Sequence, residues 1–241
     1  MGPARRQLDL SFTADGFALR GTLHLPNAPL PPVVIGCHGL LSNRHSPKQL
    51  ALAEACNRLG LAFFRFDHRG CGESEGRLEA VTSLECRASD LLHAIGHLGR
   101  RTELGKRVGI FGSSMGGAVG LRVASQREVA ALVVFAAPVR SRPLKAAARM
   151  PGDTRENVRM AAVLQEEFDL GPVLARVRNV LVFHGEADAV VPLSHGHEIF
   201  RCTAEPKRLI IQKNGDHLMS DPRHQEEFIG EASLWLGKGL R

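Results

Sequence analysis

Short apolar runs alternate along the chain with longer segments in which apolar residues recur at helical spacing. Residues 17–25 alternate between apolar and polar positions, as does a weaker segment before them, and this pattern predicts two half-exposed strands. The later runs are apolar throughout, which is typical of strands buried on both faces of a parallel sheet. The eight predicted strands cover residues 8–12, 17–25, 33–37, 61–66, 108–111, 131–135, 180–183 and 209–211.

Helical periodicity separates these runs. The predicted helices cover residues 48–59, 84–98, 115–124, 193–200 and 224–236. Because strands and helices alternate, we predict the α/β class, with a mostly parallel eight-stranded sheet flanked by helices and led by an antiparallel pair.

The segment 138–178 is longer than a connection with one helix needs. Pro138 and the pair Gly171-Pro172 mark its ends, and its middle has helical propensity interrupted at Pro151. We predict a short helical cap inserted into a single domain that spans residues 1–241.

Composition narrows the function classes. The 241 residues are 44% hydrophobic and 23% charged, as in ordinary globular proteins, and the net charge is +6. The basic residues are scattered and aromatic residues make up only 5%, so we predict no nucleic-acid partner. Five cysteines without CxxC spacing, no signal-peptide core and no apolar run of about 18 residues predict a cytoplasmic protein with no membrane span.

A G-x-S-x-G match follows the strand 108–111, in the sequence Gly112-Ser113-Ser114-Met115-Gly116. A strand, a tight turn and then an apolar helix are the context in which such a serine serves as a nucleophile. Small residues are also common at tight turns, so the match by itself is weak.

A serine nucleophile needs a base and an acid that orients the base, and both types follow later strands. Asp188 comes after the strand 180–183, and His217 comes after the strand 209–211. The order Ser114, Asp188, His217 is that of one class of triad hydrolases. Glu186 and Asp216 are competing carboxylates, Asp188 could instead cap a helix, and His217 could be a surface histidine.

The sequence His38-Gly39-Leu40-Leu41 follows the strand 33–37. A loop in this position supplies one backbone N–H for a developing oxyanion, and the residue after the nucleophile supplies another. We therefore predict Leu40 and Met115 as oxyanion donors, and we interpret His38 as a residue that orders the loop.

Taken together, HGLLSN, RFDHRGCGESEG, GSSMGG, HGEADAVVP and GDH resemble motifs of the α/β-hydrolase superfamily. The resemblance is greatest to its small-cap bacterial branch of cinnamoyl-esterase-like and monoacylglycerol-lipase-like serine hydrolases, and it extends from about Phe17 to the last helix. It implies a cofactor-independent serine esterase with the triad Ser114, His217 and Asp188 and the oxyanion donors Leu40 and Met115. The loop that begins at Asp67 is similar to a family element that braces the site.

Alternative functions remain at this point. A thioesterase or an amidase would use the same residues, and a non-catalytic binding module could share the fold. A dehydrogenase is disfavoured because the dinucleotide fingerprint is missing, and the histidine pairs lack a third metal ligand, so we predict neither cofactor nor metal. The expected partner is a small-molecule ester, and a homodimer is left open.

Overall fold

Eight strands form one sheet in the order β1-β2-β4-β3-β5-β6-β7-β8. The computed structural model describes residues 6–141 and 167–241. β2 runs antiparallel to both of its neighbours, β1 and β4, and the other neighbouring pairs are parallel. The strands are β1 (Arg6–Ala14), β2 (Phe17–Leu25), β3 (Val33–Cys37), β4 (Ala62–Phe66), β5 (Val108–Ser113), β6 (Ala131–Phe135), β7 (Val180–Gly185) and β8 (Lys207–Gln212).

Helices cover both faces of this sheet, which explains why its central strands are apolar throughout. All residues of β3, β4, β6 and β7 are buried. The described helices are α1 (Pro47–Arg58), α2 (Leu78–Val81), α3 (Leu84–Gly99), α4 (Met115–Ala124), α5 (Ser194–Cys202), α6 (Pro222–Leu240) and a 3-10 helix (Gly171–Arg176). The predicted α/β class and the mostly parallel eight-stranded sheet are confirmed.

Two apolar cores lie on opposite faces of the sheet. On one face, α3 and α4 contribute Leu91 and Leu121 to the core. On the other face, α1 and α6 contribute Leu52 and Phe228, and the Phe228 ring packs against three phenylalanines of β5, β6 and β7. This two-sided packing fixes the sheet that carries the candidate site.

Most of the predicted cap falls outside the described residues, since 142–166 are not among them. At its flanks, Arg140 and Asp169 form an isolated β-bridge, and Arg140 Nε lies 3.1 Å from Asp169 Oδ2. The cap and the single-domain organisation therefore stay predictions. Within the described ranges, no helix combines the length and the apolar character that a membrane crossing requires.

Candidate active site

Ser114 occupies the turn between β5 and α4. Its backbone adopts φ 53° and ψ −121°, a conformation that costs an L-residue about 1–3 kcal/mol. The flanking glycines are required by close approach. A Cβ on Gly112 would lie 2.2 Å from the carbonyl oxygen of Gly116, and a Cβ on Gly116 would lie 2.1 Å from that of Cys37. The turn therefore brings the helix against the sheet and holds Ser114 in the strained position.

The fold brings His217 and Asp188 to this serine. His217 Nε2 lies 3.1 Å from Ser114 Oγ, and His217 Nδ1 lies 2.8 Å from Asp188 Oδ2. Because β5, β7 and β8 end at the same edge of the sheet, residues 103 and 29 positions apart in the chain meet there. The three residues predicted from the sequence thus form one continuous hydrogen-bonded chain.

The second oxygen of Asp188 is also held. Asp188 Oδ1 accepts hydrogen bonds from the backbone N–H groups of Val190 and Val191, at 2.9 and 2.8 Å. Its buried carboxylate can only accept hydrogen bonds while ionised, so His217 carries a proton on Nδ1 and presents a lone pair on Nε2 toward Ser114. This arrangement suits a proton transfer from the serine to the imidazole.

The competing carboxylates lie in other contacts. Glu186 Oε2 accepts from the N–H of Asn214 at 3.1 Å, and Asp216 Oδ1 accepts from that of Ser220 at 2.8 Å. In the described part of the chain, the His217 ring is hydrogen-bonded to Asp188 and to neither of these two. Geometry thus singles out Asp188 among the three acids that the sequence left open.

His184 is a neighbour of this acid that the sequence analysis did not single out. Its Nε2 donates to the carbonyl of Val191 at 2.8 Å and lies 3.6 Å from Asp188 Oδ2. Burial lowers the pKa of His184 below its ordinary value. His184 therefore supports the turn that presents Asp188. Its place at the end of β7, four residues before Asp188, is the only signal of this in the sequence.

The loop after β3 lies beside the serine. A Cβ on Gly39 would lie 3.7 Å from Ser114 Cβ, and Leu40 lines the same cavity as Ser114. Among the described residues, the backbone N–H groups of Leu40 and Met115 have no hydrogen-bond partner. Two unpaired N–H groups near a hydroxyl nucleophile are the requirement for binding an oxyanion.

His38 is buried and makes two contacts that order this loop. Its Nδ1 lies 2.7 Å from the carbonyl oxygen of Gly39, and its Nε2 accepts from the N–H of His68 at 3.1 Å. Burial holds the pKa of His38 well below its ordinary range. The contacts agree with the interpretation of His38 as a residue that orders the loop.

The loop that begins at Asp67 is a buried hydrogen-bonded cluster. Arg69 Nε donates to Asp90 Oδ1 at 2.7 Å, and the same carboxylate lies 3.3 Å from His68 Nδ1. Asp67 accepts from the backbone N–H groups of Arg44 and Glu73, at 2.7 and 3.0 Å. These contacts tie the loop after β4 to α3 and to the loop after β3.

A cavity of 330 Å³ opens over Ser114 and His217. Apart from the histidines, Lys48 at the start of α1 is the one charged side chain among its described lining residues. Lys48 Nζ donates to the carbonyl of Leu218 at 2.7 Å and lies 5.0 Å from the centre of the Phe135 ring. Burial lowers the pKa of Lys48. The nearby Asp216 carboxylate attracts this ammonium group and raises its pKa in part. The cavity therefore contains a lysine whose position beside the serine no sequence pattern predicted.

Within residues 6–141 and 167–241, no cluster of three or more histidine, cysteine, aspartate or glutamate side chains could hold a metal ion. The contacts of the site are those of a hydrogen-bonded triad.

Comparisons with known proteins identify the family that this chain resembles. The model of the serine aminopeptidase S33 family matches residues 29–174. The uncharacterized protein YfhR of Escherichia coli (strain K12) is 30% identical over 222 residues, which cover 87% of this chain and 72% of that protein. The mitochondrial palmitoyl-protein thioesterase ABHD10 of Bos taurus is 29% identical over 217 residues, covering 79% and 68% of the two chains.

Solved structures share the fold at lower sequence identity. The esterase Pf2001 of Pyrococcus furiosus superposes with a TM-score of 0.85 at 19% identity, covering 99% of this chain and 92% of that one. Est1E of Butyrivibrio proteoclasticus, solved with ferulic acid, gives a TM-score of 0.79 at 19% identity, covering 95% and 98%. Sheet order, family model and relatives agree, and the chain therefore belongs to the serine aminopeptidase S33 family of α/β-hydrolases.

Proposed function

We propose that this hydrolase cleaves carboxylic esters through a covalent acyl-enzyme. Ser114 is the nucleophile, His217 the general base and acid, and Asp188 the residue that orients His217. The hydrogen-bonded chain from Ser114 Oγ through His217 to Asp188 is the observation that carries the proposal. The esterase and thioesterase names among the similar proteins support acyl transfer to water.

In the first half-reaction, Ser114 Oγ attacks the acyl carbon while its proton passes to His217 Nε2. The electron pair of the carbonyl moves to its oxygen, which accepts hydrogen bonds from the N–H groups of Leu40 and Met115. Collapse of this intermediate expels the alcohol, which takes the proton from His217. Asp188 keeps the Nδ1 proton in place and stabilises the imidazolium.

In the second half-reaction, water attacks the acyl-enzyme and gives its proton to His217 Nε2. The intermediate collapses, Ser114 Oγ leaves and regains a proton from His217, and the carboxylic acid is released. Loss of one oxyanion donor typically slows such a reaction about 100- to 1,000-fold. The two backbone amides are therefore expected to supply a large part of the rate enhancement.

The charge of the cavity argues against an aminopeptidase, although the family model carries that name. A peptide substrate presents an α-ammonium group, which an aminopeptidase has to hold near the scissile bond. Among the described residues, the charged side chain that lines this cavity is the cation Lys48. Two cations repel each other, and the carboxylate of Asp216 offsets only part of the Lys48 charge, so we favour substrates without an ammonium group.

Thioesters are the second candidate substrates, because a palmitoyl-protein thioesterase is among the similar proteins. The same triad would cleave them, with a thiol as the leaving group. A matched pair of an ester and a thioester with the same acyl chain separates the two activities by their kcat/KM values.

Labelling with a fluorophosphonate tests the nucleophile. We expect modification at Ser114, and we expect Ser114→Ala to lose labelling and ester hydrolysis while its thermal unfolding shows a folded protein. Ser113→Ala is the matched control, since Ser113 is the adjacent serine at the end of β5 and should leave labelling intact. An alanine variant at 114 that keeps more than about a hundredth of the turnover would contradict the assignment.

A further inference from the structure

Arg87, on α3, is a cation that is entirely buried beneath the loop after β3. Its Nη2 donates to the carbonyl of Leu40 at 3.0 Å, and its Nη1 lies 3.4 Å from that of Gly39. Nε donates to Thr82 Oγ1 at 2.9 Å, and Nη2 also lies 3.2 Å from Cys71 Sγ. Arg87 thus contacts the carbonyls on both sides of the Leu40 nitrogen.

This guanidinium has no ion pair with a carboxylate among residues 6–141 and 167–241. Burying a charge without a direct ion pair is costly, and burial lowers the pKa of Arg87 although the charge of the Asp90 carboxylate acts in the opposite direction. Hydrogen bonds to neutral carbonyls offset only part of the free-energy cost of burying this charge. If Arg87 served only to fill space in the core, an apolar side chain of similar volume would stabilise the fold at least as well.

The contacts of Arg87 also fix the direction of one peptide group. The carbonyl of Gly39 and the N–H of Leu40 belong to the same planar trans peptide, so they point in opposite directions. His38 Nε2 accepts a hydrogen bond, so its Nδ1 carries the proton and donates to the Gly39 carbonyl at 2.7 Å. With that carbonyl held by His38 and approached by Arg87 from the interior, the N–H of Leu40 points away from both.

We propose that Arg87 is a positioning residue for the oxyanion donor Leu40. Its guanidinium contacts the carbonyls on both sides of the Leu40 nitrogen, and it thereby holds the Gly39–Leu40 peptide in the orientation that presents the N–H group to the developing oxyanion. Its charge also polarises this peptide through the Gly39 carbonyl, which makes the N–H a stronger donor. The inference rests on the proposed function, because it assigns a reaction step to the Leu40 amide.

The shape of the side chain matters for this role. A planar guanidinium can reach two carbonyls, a hydroxyl and a thiol at once, whereas a lysine ammonium is a compact charge on a flexible chain. Arg87→Lys keeps the charge and loses the fork, and Arg87→Met removes both. The two variants therefore separate the electrostatic and the geometric contributions.

Steady-state kinetics and a transition-state analogue test the proposal. We expect Arg87→Met to lower kcat about 10- to 100-fold with little change in KM, less than the loss of a whole donor. A trifluoromethyl ketone, which forms a tetrahedral adduct with an oxyanion, should lose affinity by a similar factor. Arg87→Lys should fall between Arg87→Met and the wild-type protein in both measurements.

Leu91→Ala is the matched control for a merely structural effect. Leu91 is a buried residue of the same helix, and its truncation should destabilise the fold by about 2–5 kcal/mol. Per folded molecule, we expect this variant to keep the wild-type kcat and analogue affinity. If Arg87→Met fails to fold, Arg87→Lys and Thr82→Ala, which removes the partner of Nε, carry the test with smaller losses of the same kind.

The outcomes distinguish this inference from the proposed function. A wild-type chain that takes no fluorophosphonate label at Ser114 would overturn the proposed function and this inference together. Labelling at Ser114 combined with wild-type kcat and analogue affinity in the Arg87 variants would overturn only the positioning role. A rise in KM without a change in kcat would do the same.

Discussion

At the scale of single residues, the two oxygens of Asp188 have different tasks. Oδ1 is occupied by two backbone N–H groups, while Oδ2 faces His217 Nδ1. The backbone bonds set the orientation of the carboxylate, so His217 meets an acceptor in one fixed direction. A substitution that preserves shape and changes hydrogen-bonding capacity therefore has a clear expected effect.

Asp188→Asn tests this division. The amide oxygen would take the place of Oδ1 against the two N–H groups, which leaves the NH₂ group facing His217. His217 would then accept at Nδ1 and carry its proton on Nε2, where it cannot take the proton of Ser114. We expect turnover to fall by up to about 10,000-fold, as tautomer loss does in serine proteases, measured as kcat on an ester.

Glu186→Gln is the control for Asp188→Asn. Glu186 accepts from the backbone of Asn214, and a glutamine oxygen can accept the same bond, so the expected change is small. Equal losses in the two variants would show that the acid assignment is wrong.

At the scale of elements, the antiparallel contact between β2 and β4 buries a histidine next to an arginine. Arg65 Nε donates to His24 Nε2 at 2.7 Å, and both side chains are buried. Burial, followed by the charge of Arg65, lowers the pKa of His24 to about 4. The sheet therefore accepts His24 only in its neutral form.

We expect this contact to make the fold sensitive to acid. The folded-state pKa lies below the unfolded value of about 6.5, so the unfolded chain binds more protons between the two values. The stabilising contribution of neutral His24 is present above pH 6.5 and is lost as the pH falls toward 4. The loss is about 3 kcal/mol over that window.

Urea unfolding at several pH values, compared between the wild type and His24→Gln, measures the contribution. A glutamine oxygen can accept the Arg65 bond and does not titrate, so the variant should lose stability less steeply with acid. Buried His38, His68, His184 and His195 have lowered pKa values as well, and they act in both proteins. Equal pH slopes would contradict the prediction.

The helices and strands also differ in how well they can be predicted from the sequence. Five helices and eight strands follow from periodicity to within a few residues, because each carries its own apolar pattern. The four-residue α2 and the six-residue 3-10 helix, which lies inside the predicted cap segment 138–178, were not predicted as separate helices, since segments of at most two turns are too short to show an apolar periodicity. Chain order located Ser114, Asp188 and His217, but the choice of Asp188 over Glu186 and Asp216 depends on turn geometry.

At the scale of the whole molecule, the order of the strands in the sheet brings the site residues together. No local sequence pattern predicts this strand order. β4 inserts between β2 and β3, and β5 to β8 follow in sequence across the sheet. This order places the ends of β3, β5, β7 and β8 along one edge. Arg87 meets Leu40 across 47 residues of chain, so neither its burial nor its partners could be found from spacing.

The strained turn at Ser114 also bears on the stability of the whole fold. Glycine adopts the φ 53° conformation freely, whereas alanine keeps the Cβ that opposes it. Part of this benefit is lost because an unfolded glycine has greater chain entropy. The free energy of unfolding of Ser114→Gly should therefore exceed that of the wild-type protein by about 1 kcal/mol, which raises Tm by about 2–4 °C. Ser114→Ala is the control, because it is equally inactive and keeps the strain. Equal melting temperatures for the two variants would show that the turn stores no such strain.

Thermal selection on this protein would accordingly act against its chemistry. A library screened for heat resistance alone would enrich glycine at position 114, and the surviving proteins would be folded but unable to form an acyl-enzyme. The wild-type serine is retained at this position only when variants are also selected for catalytic turnover. Melting temperature and activity are therefore opposing traits at this position, and any engineering of the protein for stability has to leave the turn unchanged.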